Sequence, residues 1–163
     1  MSTVASSVIE STASKVDAAQ NIVSNHVGWS VGAGLVPVPF LDLAAIAATQ
    51  VNMLRQLSSL YGVAFKEDAV KMAIGTLLGS VAPRAVAPAA ASLLKFVPVV
   101  GSMLSGFTLP AASGAATYAL GKVFIQHFES GGTFLDFDPS KVTAYFKSHF
   151  DQKSGKGVAA KAA

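Results

Sequence analysis

The chain has 163 residues, of which 52% are hydrophobic and 13% are charged, and its formal net charge is +3. An average soluble domain carries about 25% charged residues, so this composition argues against a free-standing soluble monomer and against disorder over most of the length. The absence of cysteine excludes disulfides, thiolate catalysis and cysteine-based zinc sites. The length predicts one helical domain over residues 1–152, followed by a flexible basic tail at 153–163.

A first helix is predicted over residues 3 to about 35. Gly28 and Gly32 introduce a step of small residues at the point where the polarity of this helix drops, so we expect another helix to pack closely there. The helix is predicted from a narrow stripe of small residues that recur at spacings of three and four. These residues are Val4, Val8, Thr12, Val16, Ala19, Val23 and Val27.

Two prolines predict a fixed corner after the first helix. Pro37 and Pro39 lack amide donors and push the preceding residues out of the helical region. A second helix then runs from about Leu41 to Tyr61, with Gly62 as its C-cap. Asp42 lies in the first turn, where a carboxylate meets the positive end of the helix dipole. Two roles are open for Asp42: a structural one at the start of the helix, which is the favoured one, and a functional one as a polar group inside a membrane cavity.

A third helix starts near Lys66–Asp68 and contains Gly75 and Gly79, which are spaced for close helix approach. Pro83 and Pro88 are expected to kink or divide it. A second corner follows at Pro98 and Gly101, and it repeats the Val-Pro-Val step of the first corner. Two helical hairpins are therefore predicted.

A fourth helix is predicted from this corner to about Glu129. Most of it lies in a run of 26 residues, Phe96 to Gly121, without a charged side chain. Such a helix must be buried all round, and at about 1.5 Å per residue it is long enough to cross the ~30 Å hydrocarbon layer. We do not expect a chain of this length to surround the helix alone, so membrane embedding between about Val70 and Ile125 is the favoured explanation. Gly106, Gly114 and Gly121 form a ridge for another helix.

The last helix has the clearest start signal. Asp138 is predicted as its N-cap and Pro139 as its first residue. Its apolar face either docks on the bundle, which is the commoner outcome, or lies in a membrane interface. The residues of that face are Val142, Tyr145, Phe146, His149 and Phe150.

No motif for catalysis or for a cofactor is found. His26, His127 and His149 lie on three different predicted helices and do not form a metal-binding pair. There is no phosphate-binding glycine loop and no nucleophile elbow. The sequence therefore predicts a non-enzymatic protein without metal or cofactor. Three lysines in the tail are too few to indicate nucleic-acid binding.

Several blocks of the chain resemble the bacterial domain-of-unknown-function family 697, the YcjF-type domain often found C-terminal to a small GTPase domain. The blocks are Gly32–Asp42, Gln50–Arg55 and Leu60–Gly62, continued by Leu94–Gly101 and Thr117–Gly121, and together they cover residues 25 to 130. The resemblance implies an all-helical, membrane-associated domain tied to GTPase systems. Because the chain has no nucleotide-binding domain, it implies a stand-alone form with any GTPase supplied in trans.

The predicted fold is an all-α bundle of four long, proline-kinked helices plus a short C-terminal amphipathic helix. The favoured function is a membrane-associated module on the cytoplasmic face of the bacterial inner membrane, acting as an anchor, scaffold or membrane remodeller and forming homo-oligomers. The alternatives are a soluble or peripheral protein that buries its apolar faces in a homo-oligomer, and a pore-forming helical hairpin. The N-terminus lacks the pattern of a secretory signal.

Overall fold

The computed structural model describes residues 2–35, 41–93 and 100–154, and within them the side chains outside residues 2–4, 6, 41–43, 82–93 and 100–109. In this part of the chain all regular structure is helical, which confirms the predicted all-α bundle. The helices are α1 (Ser2–Ala33), α2 (Leu41–Tyr61), α3 (Glu67–Leu93), α4 (Val100–Glu129) and α5 (Pro139–Lys153).

Two glycines with positive φ close α2 and α4. Gly62 has a φ of 68° and Gly131 a φ of 83°, a conformation that costs a glycine little because it has no Cβ. Beyond each glycine, the chain donates a backbone hydrogen bond into the last turn, from Val63 to Ser58 at 2.8 Å and from Gly132 to His127 at 2.9 Å. The helix ends predicted at Tyr61 and Glu129 are confirmed.

The prolines of α3 do not divide the helix. It continues through Pro83 and Pro88 to Leu93. The helix α4 begins at Val100, so Gly101 lies in its first turn. The corner prolines Pro37, Pro39 and Pro98 fall outside the described residues.

Helix α4 is the centre of the bundle, since it contacts each of the other four helices. Ala115, Ala119, Leu120 and Phe124 are almost completely buried. Small residues keep this helix thin, so four neighbours can approach its axis at once. Over residues 110–128, the chain itself thus supplies the apolar surroundings that the sequence analysis assigned to a bilayer. The expectation that a chain of this length cannot surround such a helix is wrong for these residues.

Helix α5 docks on the bundle. The Asp138 side chain accepts the hydrogen bond of the Ser140 amide at 3.0 Å, and Pro139 is the first helical residue. Phe146 and Phe150 are buried. The predicted start of the helix and its docking, the commoner of the two outcomes considered, are both confirmed.

Candidate functional surfaces

The helices α1 and α4 run antiparallel with their backbones close together. A Cβ atom on Gly114 would lie 2.7 Å from Cγ2 of Val31, and one on Gly121 would collide with Val23. Towards the end of α1, a Cβ atom on Gly34 would lie 3.0 Å from Cα of Pro110. A larger residue at Gly114 or Gly121 would force the facing valine to shift, and at Gly34 it would make a contact tighter than most real Cβ contacts.

The other glycines singled out in the sequence lie in more open surroundings. In the described part of the chain, no heavy atom outside the local helix lies within 4 Å of a Cβ built on Gly28, Gly32, Gly75 or Gly79. The described residues therefore leave space beside these four positions. The surroundings of Gly106 and the side chain of Asp42 lie outside the described residues.

A polar cluster is buried where α1, α2 and α4 meet. Thr117, with 0% of its surface exposed, shares a 2.8 Å hydrogen bond with the Ser30 hydroxyl and accepts one of 3.3 Å from Nε2 of Gln50. The Ser113 hydroxyl lies 2.9 Å from the carbonyl oxygens of Ser30 and Pro110. Since a buried polar group without its partner is costly, these contacts fix the relative rotation of the three helices.

Sequence reasoning found only part of this cluster. The spacing of residues along α2 predicts that Gln50 shares a face with Ile46, Leu54 and Leu57, but it gives no partner for the amide. The partners Ser30 and Thr117 lie 87 residues apart along the chain. Oε1 of Gln50 is buried without a hydrogen-bond partner.

A groove of about 520 Å³ separates α2 from α3. Its walls combine three small residues, Ala47, Ala48 and Gly75, with larger side chains that include Val51 and Ile74. Met72 follows the groove residue Lys71 in sequence, and its side chain is 68% exposed. A surface of this shape can accept a helix that approaches closely.

Three charged side chains lie at one end of this groove. Lys71 Nζ is 2.7 Å from one carboxylate oxygen of Glu67, and the Arg55 guanidinium is 3.9 Å from the other. The hydrogen bond from Lys71, followed by its charge, lowers the pKa of the Glu67 carboxyl from its ordinary value. These groups are exposed to water, so they give the groove a polar end and little stability.

A third surface is the apolar end of the molecule, defined as Trp29, Leu35 and residues 100–109 of α4. Trp29 is 73% exposed and Leu35 is 65% exposed. Because Gly34 faces Pro110, the first ten residues of α4, about 15 Å of helix, extend beyond the end of α1. They contain no charged residue, and the preceding residues 82–99 contain Arg84 and Lys95 but no carboxylate.

The described residues give no indication of a metal centre. No group of three histidines, cysteines or carboxylates converges among them. His26 hydrogen bonds to the Ile22 carbonyl at 2.8 Å, and His127 to the Thr133 carbonyl at 2.8 Å. His149 lies against Tyr118 and Tyr145. Within the same residues, no helix has both the length and the apolar character needed to cross a membrane.

The described residues thus form an all-helical bundle with a buried polar cluster and an open groove between α2 and α3. The chain belongs to a family described as a domain of unknown function (DUF697), whose model matches residues 5–155. This match is wider than the predicted residues 25 to 130 and includes most of α1 and all of α5.

One relative carries a descriptive name. The chain is 40% identical over 144 residues to magnetosome membrane protein 22 of Magnetospirillum gryphiswaldense, and the alignment covers 88% of this chain and 73% of that protein. No solved structure shows a significant match.

Proposed function

We propose that this protein is a non-enzymatic helical module that binds a membrane surface through its apolar end. The observation that carries the proposal is the exposure of Trp29 and Leu35 near the end of α1, beyond which ten uncharged residues of α4 extend. The name of the magnetosome relative supports it, because that protein is described as a membrane protein.

The chemistry of this end suits the boundary between water and lipid. Tryptophan is enriched at membrane interfaces because its ring is apolar and its N–H is polar. Arg84 and Lys95 are the charged residues between 82 and 109, and basic side chains are attracted to anionic headgroups. Contact at the surface does not require a helix that spans the bilayer.

In the cell, the module acts as an anchor or scaffold, or remodels the bilayer, at the cytoplasmic face of the bacterial inner membrane. A GTPase carried by a separate protein is its proposed partner, and the family resemblance alone supports that partner. The bundle holds the apolar end in place and leaves the α2–α3 groove open to a protein.

Two exposed leucines at opposite ends of the bundle provide the test. Leu35 lies at the apolar end, whereas Leu135 follows α4 at the other end and is 79% exposed. We expect Leu35→Ser to lower the partition coefficient onto phosphatidylcholine vesicles about tenfold, because it removes an apolar side chain from the interface. Leu135→Ser should leave binding unchanged. Flotation of the full-length protein with vesicles measures both.

An equal loss of binding in the two variants contradicts membrane contact through the apolar end. Failure of the unmodified protein to float with vesicles contradicts the proposed function as a whole.

Self-association through the α2–α3 groove is the second candidate function, and the open positions of Gly75 and Gly79 favour it. A helix from a second copy would then occupy the groove. Light scattering of the purified protein tests this candidate. We expect the mass of a dimer or a larger oligomer, and the mass of a monomer at all accessible concentrations contradicts it.

A further inference from the structure

Two lysines from different helices converge on one tyrosine ring. Lys122 Nζ of α4 lies 5.6 Å from the centroid of the Tyr118 ring, and Lys153 Nζ of α5 lies 5.3 Å from it. Each ammonium is thus placed to interact with the π-system of the ring. The His149 ring completes the cluster, with its centroid 5.9 Å from that of Tyr118.

Among the described residues, the two lysines of this cluster differ from other lysines in their ion pairs. In the part of the chain that the structure describes, Lys71 and Lys141 form ion pairs, with Glu67 and Asp138 respectively. Neither Lys122 nor Lys153 has a described carboxylate within ion-pair distance of its ammonium.

The electrostatic effect is visible at His149. The pKa of its imidazole is lowered, mainly by burial and to a smaller extent by the charge of Lys122. A hydrogen bond with Gln152 has the opposite, smaller effect on this pKa. Nδ1 of this ring is buried without a hydrogen-bond partner. The positive charge of Lys122 therefore acts on the His149 ring.

The cluster lies on the part of α4 that follows the apolar end, with Lys122 twelve residues, or about 18 Å of helix, beyond Pro110. Tyr118 is eight residues beyond Pro110 on α4, which corresponds to about 12 Å along the helix axis. The antiparallel contacts between α1 and α4 place Trp29 at a similar level. The chain beyond α5 carries two more lysines, Lys156 and Lys161.

We propose that Lys122 and Lys153 bind a phosphate group, that of an anionic lipid headgroup, above the ring of Tyr118. The proposal rests on the proposed function, because the headgroup is within reach only when the apolar end contacts the bilayer. Lysine ammonium groups bind phosphate as point charges. A phosphate placed between the two ammonium groups would interact with both positive charges.

Vesicle binding of full-length variants tests the site. The substitutions Lys122→Met and Lys153→Met keep a long apolar side chain and remove the charge, and Lys141→Met at the start of α5 is the control. The quantity measured is the increase in binding when phosphatidylglycerol is added to phosphatidylcholine vesicles. We expect each of the first two variants to reduce this increase about fivefold, and Lys141→Met to change it much less.

A second arm uses inorganic phosphate without lipid and follows the His149 ring by NMR. A phosphate bound between the lysines would raise the pKa of His149. If this shift saturates with free phosphate and is abolished by Lys122→Met, while the gain from phosphatidylglycerol is unaffected by the variants, the site takes free phosphate and the lipid assignment is overturned.

The outcomes separate the site from the proposed function. If the variants still bind phosphatidylcholine, and if their gain from phosphatidylglycerol is unchanged or is reduced equally in Lys141→Met, the lipid assignment is overturned and the proposed function stays intact. Failure to bind any vesicle overturns the proposed function, and the lipid assignment with it. In that case the response of His149 to inorganic phosphate decides whether the two lysines form a phosphate site at all.

Discussion

We expect Phe124→Ala to lower the free energy of unfolding by about 3–5 kcal/mol. Phe124 is completely buried in α4. Its ring stacks on Phe137 at a centroid distance of 4.5 Å and meets Phe134 at 5.5 Å and Phe128 at 5.7 Å. Truncation leaves a cavity among side chains from α4 and from the segment that joins it to α5. Chemical denaturation without detergent measures the effect.

The matched control is Leu135→Ala in the same joining segment. Leu135 is 79% exposed, so its loss should change stability by about 0.5 kcal/mol or less. A cost for Phe124→Ala as small as that of the control would mean that α4 is not the centre of a protein core, contrary to the fold described above.

The second large effect is expected at the contact between α1 and α4. Gly121→Ala should destabilise the protein by about 1–3 kcal/mol, although alanine is the better helix former. The new methyl group would collide with the side chain of Val23, and both backbones are held by packing on their other sides.

Glycine-to-alanine substitution at Gly79 should change the free energy of unfolding in the opposite direction. No heavy atom lies within 4 Å of a Cβ built there, so Gly79→Ala should stabilise the protein by about 0.5–1 kcal/mol through helix propensity. In a Val23→Ala background, Gly121→Ala should cost much less than in the unmodified protein. An equal cost in both backgrounds would contradict the close approach of α1 and α4.

The ends of the helices could be predicted from the sequence because their signals are local. The stops at Gly62 and Gly131 depend on one residue that can adopt positive φ. The start of α5 depends on a cap and a proline that are adjacent, Asp138 and Pro139. Each signal lies within one helix turn of the boundary that it determines.

The surroundings of α4 could not be predicted in the same way. An uncharged helix must be buried, but its sequence does not say whether protein or lipid buries it. The deciding factor is the thinness of the helix at Gly114, Ala115, Ala119 and Gly121, which lets four helices approach over residues 110–128. The first ten residues of α4 lie beyond the end of α1, and the lipid contact is proposed there.

The candidate sites depend on contacts between residues that are far apart in sequence. The ring of Tyr118 lies over Lys122, one helix turn away, and that contact follows from helical spacing. Its contact with Lys153 requires the antiparallel docking of α5 on α4. The burial of Gln50 was predictable from the spacing of apolar residues along α2, whereas its bond to Thr117 depends on the packing of α2 against α4.

The fluorescence of Trp29 tests the central claim most directly, because it is the only tryptophan in the chain and lies at the proposed contact with the membrane. The measurement is made on the full-length protein with vesicles whose acyl chains carry bromine, which quenches nearby tryptophan. The account predicts a blue shift of the emission on binding and strong quenching by bromine near the headgroups. Vesicle binding without a shift or quenching would place Trp29 in water and contradict membrane contact through the apolar end.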